Sequence, residues 1–159
     1  MILEKQKQSV FAPRPQSFAD LMEMYEINYI YLRLLCGDIR TLPDQVDSIV
    51  SADGIPVRIR ILERTRHTTI FIMTYLFDKE EKRPDLKVQV YHDSRQADVI
   101  SRDCRFTQKN IRTWEKDIDS ALLCRWRLNR FLFKWIKYLH RQGHHFGEKK
   151  GKDENFLSK

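Results

Sequence analysis

Residues 45–77, QVDSIVSADGIPVRIRILERTRHTTIFIMTYLF, decide the fold. Asp53-Gly54 sits between two runs of alternating apolar residues, the pattern of a two-residue hairpin turn whose positive φ angles suit the twist of paired strands. With Ala52 facing Ile55, Val50 pairs with Val57, Ser48 with Ile59 and Val46 with Ile61. One face of the hairpin is then almost wholly apolar, and the other carries Asp47 opposite Arg60. The third run, Thr68 to Phe77, is apolar on both parities, which predicts a central strand covered on both sides.

Toward the N-terminus, Phe18, Leu21, Met22, Tyr25, Tyr29, Leu32 and Cys36 recur at spacings of three and four behind Ser17, an expected N-cap. They predict an amphipathic helix that Gly37 stops. Toward the C-terminus the pattern gives strands at Leu86 to His92 and Ala97 to Ser101, then a helix from about Ser120 to Gln142 ended by Gly143. Residues 103–119 carry no assignable pattern. The expectation is an α+β domain over residues 17–143, an antiparallel meander of about five strands flanked by an N-terminal helix and a basic C-terminal helix. A flexible arm over 1–16, with Pro13 and Pro15, and a polar, disordered tail over 144–159 complete the chain.

A chain of 159 residues can bury roughly 70% of its unfolded surface, enough for one core without a metal or disulfide. Its three cysteines, Cys36, Cys104 and Cys124, are odd in number and never form a CxxC pair, which points to free thiols in a reducing compartment. The start, MILEKQKQSV, has no apolar leader, and no run approaches the ~18 apolar residues of a membrane span. A cytoplasmic protein without membrane contact is expected. The net charge of +7 favours an anionic partner.

If strands two and three join through a four-residue loop, Arg64 to His67, then Glu63 faces Thr68, Ile61 faces Ile70 and Ile59 faces Ile72. Glu63 takes the apolar parity, and so does His92 after Leu86, Val88 and Val90. Glu63, Arg66, Thr68, Tyr91, His92 and Asp93 thus converge on one edge of the sheet, beside His67. A buried carboxylate or imidazole needs partners, because an unsatisfied polar group costs about 1–3 kcal/mol. One reading is structural: Arg66 and the loop hydrogen-bond Glu63, and Asp93 closes the turn DSRQ. The other is a ligand pocket in which Glu63 and His92 handle a proton or a hydrogen bond while Arg66 fixes an anionic group.

The chain has no HExxH, GxGxxG, Walker A or GxSxG motif, so nothing in it calls for a metal or a cofactor. Arg60-x-x-x-Arg64 matches a cyclic-dinucleotide pattern in spacing, but lies within a strand and lacks the glycine-bearing partner motif.

From Ser120 to Gly147 there is no Asp or Glu. At 100° per residue Arg127, Arg130, Lys134, Lys137 and Arg141 form a stripe roughly 80° wide, opposite Leu128, Leu132, Trp135, Ile136 and Leu139. Trp126 and Phe133 are expected beside that stripe, an arginine and aromatic interleaving suited to nucleic acid or an acidic protein. The plain alternative is a solvated face, with the two aromatics packed beneath the unassigned segment or the first helix.

FADLMEMYEINYIYLRLL, LERTRHTT, VQVYHDSRQADV and NRFLFKWIKYLHRQG resemble the YqiB-like family of small proteobacterial proteins, defined by a domain of unknown function. The resemblance runs from about Ser17 to Gly143. It implies a cytoplasmic bacterial protein whose recognisable elements are E-x-T-R-x-T-T and Y-H-D, and it brings no activity. His67 stands where the family pattern can carry tyrosine. The functional expectation is a non-enzymatic binding or adaptor domain for an anionic ligand or acidic protein, possible also as a dimer. The alternatives are a small hydrolase or transferase using Glu63 or His92 with Arg66, and a nucleic-acid binder acting through the last helix.

Overall fold

Helix α1, Phe18–Cys36, buries Leu21, Met24, Tyr25, Asn28, Leu32 and Leu35, residues three and four apart that share one side of the helix. It ends where Gly37 takes a left-handed conformation, φ 72°, and donates its N–H to Arg33 O at 2.9 Å. This computed structural model describes residues 18–51, 53–77, 85–100, 104 and 114–146. Ser17, the arm over 1–16 and the tail from 147 lie outside the described residues.

After a single 3-10 turn, Ile39–Thr41, come β1 (Gln45–Asp47), β2 (Val57–Arg64), β3 (Thr68–Tyr75), β4 (Asp85–Tyr91) and β5 (Gln96–Val99). They pair antiparallel in the order β1-β2-β3-β4-β5, the expected meander with β3 at its centre. Helix α2, Trp114–Arg141, completes the fold. It takes in residues 114–119 of the stretch without a sequence assignment, where TWEKDIDS has too few apolar residues at helical spacing to announce it.

Two strand registers differ from those expected. Val46 pairs with Ile59 and Asp47 with Arg58, two residues away from the Asp53-Gly54 hairpin register. Pro56 has no N–H to give a ladder, so pairing stops at Val57, and Gly54 N–H instead closes a turn on Ser51 O at 2.9 Å. The faces survive because the slip is even, and Asp47 meets Arg58 at 2.8 Å. In β2 the register shifts between Ile61 and Glu63, a β-bulge, so that Ile61 pairs with Phe71 but Glu63 with Ile70 and Arg64 with Thr69.

Both helices pack on one face of the sheet. Val57, Ile59, Phe71, Met73, Val88 and Val90 meet Leu32 and Leu35 of α1 and Leu132, Ile136 and Leu139 of α2 in one core. Full burial of each such side chain is worth about 1.5–3 kcal/mol. The expectation that β3 is covered on both sides is therefore corrected: Thr69, Phe71 and Met73 are buried, whereas Ile70 and Ile72 on the other face are only half-buried. The edge strand β5 is held by Asn129 of α2, whose Oδ1 accepts Val99 N–H at 2.9 Å while its Nδ2 donates to Asp98 Oδ1 at 3.0 Å.

Gly143, φ 86°, ends α2 with a paired C-cap in which Gly143 N–H reaches His140 O and His144 N–H reaches Leu139 O. The chain does not leave the core there. Ile49 and His145 form a bridge, His144 is buried against Ser48, and Phe146 is 6% exposed in the main core. Ordered packing thus extends past the boundary drawn at residue 143.

Cys104 and Cys124 form a disulfide, and Cys36 is a free, buried thiol. This corrects the expectation of three free thiols. The pairing joins α2 to the stretch that had no readable pattern, so spacing could not reveal it. Among the described residues no helix is long and apolar enough to cross a membrane.

Candidate functional site

The turns β2–β3 and β4–β5 lie side by side at one end of the sheet. In the first, Thr65 N–H donates to Thr68 O at 2.9 Å, and Thr65 Oγ1 accepts from the backbone N–H groups of His67 and Thr68. The second, His92 to Arg95, turns on Arg95 in a left-handed conformation, φ 55°. His92 N–H donates to His67 O at 2.9 Å, and the His67 ring bonds the Asp93 carboxylate through Nδ1, so the two turns are stitched together.

The candidate ligand residues do not all share a face. The bulge turns Glu63 to the side of Ile70, Thr68 and Tyr91, and brings Arg64 onto the side of Thr69 and the core. Glu63 is exposed, and His92 is buried on the opposite side at 8% exposure. The expected Glu63–His92 pair is therefore not formed: one extra residue in a strand reverses every side chain after it. Arg66 and Asp93 are exposed in the turns. Arg64 donates to Leu42 O and stands 3.8 Å from Asp44.

His92 has a different set of neighbours. Its Nε2 is 2.8 Å from Thr69 Oγ1, and burial, reinforced by the Arg40 charge, holds its pKa below the ordinary imidazole value. It lines a pocket of about 240 Å³ together with Tyr29 and Arg33 of α1, Asp38 and Arg40 of the connection, and Arg95. Gly37 makes this possible by turning the chain sharply, Asp38 Oδ1 caps the 3-10 turn on Arg40 N–H at 3.1 Å, and buried Ile39 pins it. Arg33 reaches Tyr29 Oη at 3.3 Å, and Arg40 stands 3.8 Å from Asp93. A larger groove of about 590 Å³ shares Tyr29, Arg33 and Arg95 and adds the apolar side chains of Ile30 and Leu34.

Arg33, Arg40 and Arg95 escaped the sequence reading because they come from a helix end, a connection and a turn, each unremarkable alone. The available signal was the two glycine- or turn-directed bends that bring them together.

On α2 the basic residues Arg127, Lys134 and Arg141 are exposed, while Arg130 and Lys137 are half-buried. Trp126 and Phe133 are not on that surface. They are 0% and 4% exposed and pack with Leu21, Met24 and Tyr25 of α1. Their wedge between two helices satisfies the need to bury large rings better than a place beside solvated cations. Phe131 and Tyr138, 46% and 50% exposed, stand among the cations instead.

The β5 edge holds a further titratable group. Burial pushes the Asp98 carboxyl above its ordinary pKa against the opposing pull of Asn129 and Arg125. No three His, Cys, Asp or Glu side chains among the described residues gather into a group able to hold a metal ion.

The family described as "Protein of unknown function (DUF1249)" matches residues 31–145, which span the end of α1, all five strands and the whole of α2. The chain belongs to the DUF1249 family. The match includes Arg33, Arg40, His92 and Arg95 as positions within its span. No curated protein and no solved structure matches the chain.

Proposed function

We propose that this DUF1249 domain binds an anionic small-molecule ligand in the pocket beside His92. The observation that carries the reading is the convergence of Arg33, Arg40 and Arg95 on one concavity of about 240 Å³ whose lining includes a single carboxylate, Asp38. Arginine forks suit phosphate and carboxylate oxygens, and a neutral His92 offers its ring beside them without adding a charge. The adjoining groove, lined by Ile30 and Leu34 together with Glu26 and Ser94, gives room for a ligand body behind the anionic group.

Glu63 lies on the other face of the sheet, so a hydrolase built on a Glu63 and His92 pair has no geometric support. The binding role first assigned to Arg66 falls to Arg33, Arg40 and Arg95. A bacterial, cytoplasmic setting rests on the YqiB-like resemblance, since the thiol argument for a reducing compartment is replaced by one disulfide and one buried thiol.

Titration with inorganic phosphate, citrate and nucleoside monophosphates, followed by calorimetry and thermal shift, tests the reading. At least one probe is expected to bind, and Arg40→Ala or Arg95→Ala to weaken it by roughly tenfold or more, the loss of one charge-assisted hydrogen bond. Equal binding by wild type and both variants would reject the pocket as the site.

A further inference from the structure

We propose a second binding surface, independent of the His92 pocket: the exposed face of α2 as a platform for single-stranded nucleic acid. Arg127, Phe131, Lys134, Tyr138 and Arg141 follow one another at alternating steps of four and three residues. At 100° per residue they fall within a narrow stripe, and all five are exposed. Cations and rings therefore alternate along about 20 Å of helix, at 1.5 Å per residue.

Among the described residues no carboxylate pairs with the exposed cations of this face, Arg127, Lys134 and Arg141. The helix itself carries no carboxylate from Ser120 to its end. Half-buried Arg130 and Lys137 border the stripe, the latter placing its Nζ 5.3 Å from the Phe133 ring. The face is thus complementary to a polyanion.

The two rings select among polyanions. A duplex presents phosphates to the cations but hides the flat faces of its bases, leaving Phe131 and Tyr138 nothing to stack on. A single strand offers both, with bases on the rings and phosphates at the cations between them. A membrane surface fits poorly because an interfacial helix inserts a continuous apolar face. That face of α2, with Leu132, Ile136 and Leu139, is already buried in the core.

Fluorescence anisotropy with labelled 12-nucleotide oligo(dT) and oligo(U), the same sequence as a duplex, and polyglutamate as an anionic competitor provides the test. Single strands are expected to bind with affinity falling in log salt at a slope of about −2, three exposed cations at −0.7 each. Phe131→Ala and Tyr138→Ala, both surface changes that leave the fold intact by circular dichroism, should each weaken binding by about tenfold. Arg40→Ala should leave it unchanged, which separates this surface from the pocket. Duplex binding as tight as single-strand binding, equal displacement by polyglutamate, unchanged affinity in both aromatic variants, or no binding would each overturn the proposal.

Discussion

Ser48 Oγ lies 2.9 Å from His144 Nδ1, both residues are buried, and the same hydroxyl oxygen accepts Val57 N–H at 2.9 Å. One side chain thereby closes the end of the β1–β2 ladder and holds the residue that follows the C-terminal glycine of α2. Ser48→Ala leaves both Val57 N–H and the His144 ring short of a partner. A loss of about 1–3 kcal/mol in urea unfolding is expected, where an exposed serine would cost almost nothing.

Acid should weaken the fold through two histidines. His92 and His144 both titrate below the ordinary imidazole value of 6.5, in each case chiefly by burial, with Arg40 adding to the effect at His92 and His145 at His144. Protonation therefore favours the unfolded chain. Stability is complete above about pH 6.5 and declines as pH falls from there toward the lowered folded-state values. Melting temperatures between pH 8 and pH 5 should show this decline, reduced in a His92→Gln, His144→Gln double variant. A parallel decline in both proteins would contradict it.

Trp126 and Phe131 sit five positions apart on α2 with opposite consequences. Trp126→Ala removes a fully buried indole and should cost about 3–5 kcal/mol, whereas Phe131→Ala, which loses one tilted ring contact with Trp135, should cost about 1 kcal/mol or less. Glu63→Ala belongs with Phe131 if the bulge holds its side chain in solvent. Denaturant midpoints of the three variants distinguish the observed faces from the expected ones.

The cysteines predict a chemical count. Cys36 is 3% exposed, burial pushes its thiol up to about 12, and the other two are joined. A thiol reagent such as Ellman's should find essentially none in the native oxidised protein and one after denaturation without reductant. Reducing the Cys104–Cys124 bond, which spans 20 residues, should lower stability by about 3 kcal/mol.

Much of the fold was legible because it rests on periodicity: α1, the sequential strands and the face of β3 that enters the core all follow from apolar spacing. The candidate site was legible only as a place. Residues in the turns at Arg66 and His92 do meet, yet the partner proposed for His92 does not join them. A bulge is a local change of count with no residue type of its own, and nothing in ILER reveals that Leu62 will be the extra residue. Pro56 did carry a readable warning against a long hairpin, outweighed by the familiar Asp-Gly pair. The cation pocket required knowing where Gly37 and Arg95 send the chain.

The strand order has a kinetic implication. Each strand pairs with its neighbour in sequence, so the sheet can assemble from short-range closures, whereas Asn28 Nδ2 meets Asn129 O across 101 residues. Because loop-closure cost rises with sequence separation, the two helices are expected to join after the hairpins. Since the His92 pocket borrows Tyr29 and Arg33 from α1, it should be completed only by that docking, and a ligand bound there is expected to act as a latch that slows unfolding more than it speeds folding.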